Sequence, residues 1–132
     1  MDNYKNFNHI KIHTQYSICE GALKINELAE FCKKNKIKGA GLSDTSNMCG
    51  ALEFSELISK SGTQPIIGTQ INFKFNDEIG SIPLIAKNRK GYESILELSS
   101  NSYISNNDDL LPYCDIQNLM DKNEGIIVLS GS

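Results

Sequence analysis

Polar and apolar residues alternate near the start of the chain, between Phe7 and His13. A two-residue period places successive side chains on opposite faces of a strand, so we predict a first strand over Phe7–His13. His9, Lys11 and His13 then share one face of that strand. Two imidazoles and a lysine on one face are typical of a metal site at the mouth of a barrel, or of such a site that has lost a ligand.

The period then changes to that of a helix. Apolar residues at i, i+3, i+4 and i+7 predict an amphipathic helix from about Ala22 to Asn35. A run of small residues, Gly39–Ser43, predicts a short buried strand that ends at Asp44. Thr45 or Ser46 is then in place to cap a second helix. The inward positions predicted for the first helix are Ile25, Leu28, Ala29 and Cys32.

Strand and helix patterns continue through the second half of the chain. We predict one strand over Gln64–Phe75, an antiparallel partner over Ile82–Ala86, and a helix over Arg89–Asn101 capped by Asn88. A last buried strand covers Gly125–Leu129. This order indicates an α/β fold with a largely parallel sheet. Residues 1–132 are then either the first half of a larger barrel, cut after the last strand, or a complete small open sheet. The inward positions predicted for the third helix are Tyr92, Ile95 and Leu96.

Composition excludes several classes of protein. The chain has 132 residues, of which 39% are hydrophobic and 22% charged, as in a soluble globular domain. Its net charge of -3 gives no global basic field for nucleic-acid binding. No apolar run approaches the ~20 residues of a membrane span, and the four scattered cysteines form no C-x-x-C pair. We therefore expect a cytoplasmic protein with reduced thiols and no membrane partner.

Five phrases, in this order and spacing, make the chain resemble the PHP (polymerase and histidinol phosphatase) domain family. More specifically, these phrases resemble the form at the N-terminus of bacterial replicative DNA polymerase III alpha subunits. It implies a distorted, TIM-like, seven-stranded βα barrel of about twice this length. The phrases are His9–Ser17, Gly21–Ala22, Leu42–Gly50, Pro65–Gly68 and Gly125–Gly131.

The resemblance also identifies the positions at which metal-binding members carry ligands. They fall here on Lys11 and His13, on Asp44 and Thr45, and on Gln70. Only His13 and Asp44 keep a ligand type. A site for several divalent ions needs imidazoles and carboxylates, whereas a protonated lysine has no lone pair and threonine and glutamine are weak neutral ligands. Our hypothesis is that no catalytic metal cluster assembles, with His13 and Asp44 as residual candidates for a single ion.

Two further expectations concern the lysine and the first histidine. Lys11 is expected to lie inside the barrel as a cation paired with Asp44, replacing metal and carboxylate by a salt bridge. His9 is expected to be a hydrogen-bonded residue at the barrel end rather than a ligand.

For function, the lost ligand positions lead us to expect no catalytic residue and no cofactor in this region, and the resemblance implies the activity of a longer parent chain. The parent chain would be a DNA-directed DNA polymerase, a nucleotidyltransferase, with Mg²⁺ in a separate polymerase domain and DNA bound through that parent chain. The PHP region would have a structural role and dock the proofreading exonuclease subunit among other replicase subunits, with Tyr16 and Tyr103 as guesses for contacts. The alternative is a metal-dependent phosphoesterase of the same superfamily, of the histidinol phosphatase type.

Overall fold

A computed structural model describes residues 7–105 and 111–130. The predicted exposed loop over Asn106–Asp109 lies outside the described residues. The strands are β1 (His9–Ile12), β2 (Gly39–Leu42), β3 (Asp44–Thr45), β4 (Gln64–Ile66), β5 (Gly68–Phe75), β6 (Glu78–Ala86), β7 (Cys114–Asp115) and β8 (Ile126–Val128). The helices are α1 (Ile25–Asn35), α2 (Ala51–Lys60), α3 (Arg89–Ile104) and α4 (Ile116–Asp121).

The strands form two sheets, and the chain passes from the first sheet into the second at two bends. In the first sheet, β1, β2 and β4 are parallel, and α1 and α2 provide the crossovers. In the second, β3 and β5 are parallel, and β6 runs antiparallel between β5 and β8. Only Ser43 separates β2 from β3, and only Ile67 separates β4 from β5. The prediction of one strand over Gln64–Phe75 was therefore wrong in detail, because the chain bends at Ile67 and passes from one sheet into the other.

A bulge interrupts β1. His9 lies opposite Ala40 and Ile12 lies opposite Leu42, so three steps along β1 match two steps along β2. An extra residue breaks the two-residue alternation of side chains. His9 accordingly contacts Phe7 and faces the side covered by α1. The prediction that His9 and His13 share a face was wrong because simple alternation does not anticipate the bulge.

Two apolar clusters hold the sheets against the helices. The first joins α1 and α2 to β2, and the predicted inward residues of α1 are all buried in it. The second joins α3 and α4 to one face of β5 and β6, centred on Ile71, Leu84, Ile95 and Leu98. Burial raises the pKa of the thiols of Cys32 and Cys114, which lie in these clusters and stay protonated. All four cysteines are free.

Helix α3 confirms one prediction and corrects another. Asn88 caps it by accepting a hydrogen bond from Gly91 N at 2.9 Å, as predicted. Leu96 is not inward but 39% exposed, because the buried stripe runs through Ile95 and Leu98.

The predictions for the cap of α2 and for the burial of the last strand were also wrong. Neither Thr45 nor Ser46 caps α2, because the turn that follows β3 is longer and Gly50 occupies the cap position without a side-chain bond. The last strand, β8, is not fully buried: Ile127 is 45% and Val128 48% exposed, since β8 pairs only with β6 in the part of the chain described.

Candidate functional site

Asp44 is the centre of the site that the structure builds. Its side chain is completely buried at the start of β3, where the bend at Ser43 directs the chain into the second sheet. Its Oδ1 accepts hydrogen bonds from Thr14 N at 2.5 Å and from Ser17 Oγ at 2.7 Å. Its Oδ2 accepts one from Thr14 Oγ1 at 2.7 Å. A buried carboxylate is stabilised when such donors replace water, so the loop that follows β1 is held on Asp44.

His13 lies beside this carboxylate and contacts its hydroxyl partners. His13 Nδ1 is 3.3 Å from Ser17 Oγ and 3.4 Å from Thr45 Oγ1. The Ser17 hydroxyl donates to Asp44, and the Thr45 hydroxyl donates to a carboxylate oxygen of Glu20. Both hydroxyl oxygens therefore face His13 as acceptors, and the network assigns a proton to Nδ1. Glu20 Oε2 lies 3.7 Å from the same nitrogen.

Gln70 lies next to Thr45, because these residues are partners in the parallel pair of β3 and β5. Its Oε1 is buried without a hydrogen-bond partner among the described residues, as are Ser43 Oγ and Ser81 Oγ. Register places Gln70 and Ser81 on the same face, because Ser81 lies opposite Asn72, two residues after Gln70. This face is opposite to the one that packs on α3.

The structure separates Lys11 and His9 from the site that it builds. The Lys11 side chain is exposed and, among the described residues, forms no ion pair with Asp44. The predicted internal salt bridge is therefore wrong, because three hydrogen bonds from Thr14 and Ser17 already surround that carboxylate. His9 lines a separate cavity of about 250 Å³ with Phe31 of α1.

Close backbone contacts hold the loops around Asp44. A Cβ at Gly21 would lie 2.0 Å from Thr14 O, so only glycine permits this return of the loop. A Cβ at Gly50 would lie 2.6 Å from the ring of Tyr16. Tyr16 OH donates to Glu53 at 2.7 Å, and this hydrogen bond to the carboxylate raises the pKa of Tyr16 above its usual value of 10.0.

The residues present do not fit a cluster of divalent ions. Within 7–105 and 111–130, no three His, Cys, Asp or Glu side chains converge in a way that could hold a metal ion. The Asp44 carboxylate would have to give up its hydroxyl and amide donors before it could ligate. The network also places a proton on His13 Nδ1, which leaves only Nε2 with a lone pair.

Sequence reasoning missed three residues of this site. Thr14 and Ser17 supply every side-chain donor to Asp44 in the described chain, and Glu20 joins His13 to Thr45. A usable signal was present: a strand that ends in a buried Asp needs donors, and a Thr-x-x-Ser loop at the end of the neighbouring strand can supply them. Glu20, on an exposed loop, gave no such signal.

The fold and the site together identify the class of this domain. It is an α/β domain with parallel strands, and the carboxyl ends of these strands carry a polar site. Solved structures support the same class. The chain has a TM-score of 0.57 and 22% identity to a protein assigned as a metal-dependent phosphoesterase from Bifidobacterium adolescentis, covering 72% of this chain and 32% of that one. An amidohydrolase from Chromobacterium violaceum gives a TM-score of 0.55 at 13% identity, covering 71% and 34%. At this identity they show the fold alone, which is part of a TIM-like barrel.

Sequence comparison then gives the family. The PHP domain profile matches residues 9–132, and the chain belongs to the PHP domain family. The DNA polymerase III subunit alpha of Haemophilus influenzae is 35% identical over 134 residues, which cover 99% of this chain and 12% of that protein. The same subunit of Rickettsia felis is 37% identical over 124 residues, 93% of this chain and 10% of that protein. The chain thus spans about a tenth of these relatives.

Proposed function

We propose that this chain is the N-terminal PHP domain of a replicative DNA polymerase III alpha subunit. The observation that carries the proposal is identity of 35–37% to two such subunits over nearly the whole chain. The parent protein would then catalyse template-directed nucleotidyl transfer, with carboxylates and Mg²⁺ in a polymerase domain outside this sequence. Such a protein works in the cytoplasm, and among the described residues no helix is long and apolar enough to span a membrane.

Within that protein we infer a structural role for the PHP domain, without chemistry of its own. The support is the character of the Asp44 site, in which hydroxyl and amide donors already bind the carboxylate. Thr45 and Gln70, at two positions where the family resemblance implies ligands, contribute neutral side chains. A network of this kind rigidifies a fold, because the buried Asp44 carboxylate is held by donors from the loop that follows β1.

We further propose that this domain docks the proofreading exonuclease subunit and contacts other replicase subunits, while DNA is bound through the parent chain. Exposed apolar side chains on loops and helix ends offer surface for such contacts, among them Ile18, Leu52 and Tyr103. Tyr103 is also tied to the site, because its hydroxyl donates to Ser46 O at 2.8 Å.

Metal analysis of the purified natural protein tests the structural role. We expect fewer than one Zn, Mn or Fe ion per chain after dialysis, by elemental mass spectrometry. A Gln70→Glu variant serves as the matched control, since it adds one carboxylate beside Thr45 without changing the length of the side chain. Two or three bound ions in the wild type would contradict the proposal and favour the phosphoesterase alternative.

Activity and association test the larger proposal. Primer extension by the full natural protein should depend on Mg²⁺ and stay within about twofold of wild type in a Lys11→Ala variant, because Lys11 is exposed. Co-purification with the cognate exonuclease subunit should be retained in that variant and reduced when Ile18 and Leu52 are both changed to Ser. A protein without primer extension that hydrolyses phosphate esters would overturn the proposal.

A further inference from the structure

The positive charges of the chain are concentrated at one end of the sheets. Since β4 is parallel to β2 and β6 antiparallel to β5, the starts of β2 and β4 and the finish of β6 lie at the same end. Helices α1 and α2 return to this end because they connect parallel strands. We call it the basal end. Its cationic residues are Lys33, Lys34, Lys36, Lys38, Lys60, Lys87, Arg89 and Lys90.

Contacts join the segments that carry these cations. Thr63 Oγ1 donates to Ile37 O at 2.8 Å, which holds the turn after Lys60 against the turn that contains Lys36. The next residue, Gln64, lines a groove of about 420 Å³ whose other wall carries Lys87 and Arg89. The basal end is therefore one surface, although its cations come from three regions of the sequence.

Few carboxylates offset this charge. Arg89 pairs with Glu93 at 3.0 Å and Lys90 pairs with Glu124 at 2.8 Å, and all four side chains are largely exposed. Lys36, Lys60 and Lys87 are exposed and form no ion pair within the described ranges. A chain with a net charge of -3 thus presents a local excess of positive charge at this end.

We propose that the basal end binds the phosphate backbone of duplex nucleic acid, an inference that rests on the proposed function. Lysines, arginines, side-chain amides and helix N-termini are the groups that bind phosphates. Here Gln64 and Asn88 supply amides beside the groove, and α3 begins at Arg89 with its positive dipole end at this surface. Single strands are a poorer fit, because the groove contains one aromatic ring, the half-buried Tyr92, and successive bases need several rings to stack on.

Salt dependence of binding by the full natural protein tests the inference. The variant changes Lys36, Lys60 and Lys87 to Gln, and a labelled DNA duplex is titrated by fluorescence anisotropy between about 50 and 200 mM salt. Each lost phosphate contact lowers the slope of log affinity against log salt by about 0.9, so three should lower it by about 2 to 3. The affinity should fall by about tenfold or more at the low-salt end.

A matched control removes the same charge at the opposite end of the sheets. It changes Lys11, Lys24 and Lys74 to Gln and should keep the wild-type slope within about 0.5. A basal variant with the wild-type slope overturns the inference, as does an equal drop in both variants. Loss of a replicase subunit by the basal variant, with DNA binding unchanged, would assign the surface to an acidic protein and also overturn it. If the wild type binds no DNA, the proposed function fails as well.

Discussion

Two paired strands, β3 and β5, carry buried polar side chains near their first residues, and these side chains differ in their hydrogen bonds. On β3, the Asp44 carboxylate accepts three hydrogen bonds and is completely buried. On β5, the side-chain amide oxygen of Gln70, Oε1, is also buried but has no hydrogen-bond partner in the described part of the chain. Buried polar side chains on adjacent strands of one sheet can therefore differ in structural importance. The Asp44 side chain links two parts of the chain by hydrogen bonds, whereas the side-chain oxygen of Gln70 forms none among the described residues.

Among the substitutions that test this comparison, Asp44→Ala should reduce the stability of the protein most. The change leaves Thr14 N and two hydroxyls buried without their acceptor, at about 1–3 kcal/mol for each unsatisfied group. We expect the free energy of unfolding to fall by about 3 kcal/mol or more, measured by urea denaturation. Asp44→Asn, which keeps the volume and one acceptor, should lose less. A loss below about 1 kcal/mol for Asp44→Ala would show that the network is not needed for stability.

Ser17→Ala should have a smaller effect, of about 1–2 kcal/mol. Ser17 Oγ donates to Asp44 and accepts from Thr45 N at 3.1 Å, but Thr14 still holds the carboxylate in the variant. Urea denaturation checks the value, with Ser59→Ala on the exposed side of α2 as control. Equal losses at Ser17 and Ser59 would contradict the role given to the loop.

Gln70→Leu should leave stability unchanged or raise it by up to about 1 kcal/mol. The substitution keeps a similar volume and removes a buried acceptor that has no partner, and removal of such a group is neutral or favourable. Thermal unfolding of the wild type and the variant under the same conditions shows whether the change in stability is positive or negative. If Gln70→Leu destabilises the protein as much as Asp44→Ala, the two side chains contribute equally to stability, which would contradict the difference drawn between them.

Lys11→Ala should have the smallest effect, below about 0.5 kcal/mol, as for an exposed side chain without an ion pair. The result separates the observed geometry from the internal salt bridge expected from sequence, whose loss would remove about 3–5 kcal/mol. Comparison of urea midpoints for Lys11→Ala and Lys24→Ala is sufficient. A clear loss of stability in Lys11→Ala alone would contradict the exposed position of Lys11 and support the salt bridge with Asp44.

Local patterns predicted where α1 and α3 lie, but were wrong about a side-chain cap for α2 and about part of the buried stripe of α3. The spacing of Ile25, Leu28 and Cys32 was enough to place α1 and its buried side, because the buried positions of this helix follow the helical period. Asn88 could be recognised as a cap for the same reason: its function depends on a residue three positions away.

Features that depend on distant parts of the chain were not predicted. The bend at Ile67 arises because β4 and β5 pair in different sheets, which a continuous apolar run does not reveal. The partners of Asp44 are 27 and 30 residues away in sequence, so the sequence suggested Lys11 while the fold uses Thr14 and Ser17. The positions of His13, Asp44, Thr45 and Gln70 came from resemblance rather than from periodicity. The structure brings His13 and Thr45 into contact and places Gln70 beside Thr45.

The bulge between His9 and Ile12 has a consequence for how this domain can vary. Because the extra residue absorbs one step of register, the segment before it and the segment after it face different layers of the fold. Deletion of one residue within the bulge is therefore expected to turn either His9, or His13 together with Thr14, to the opposite face of the strand.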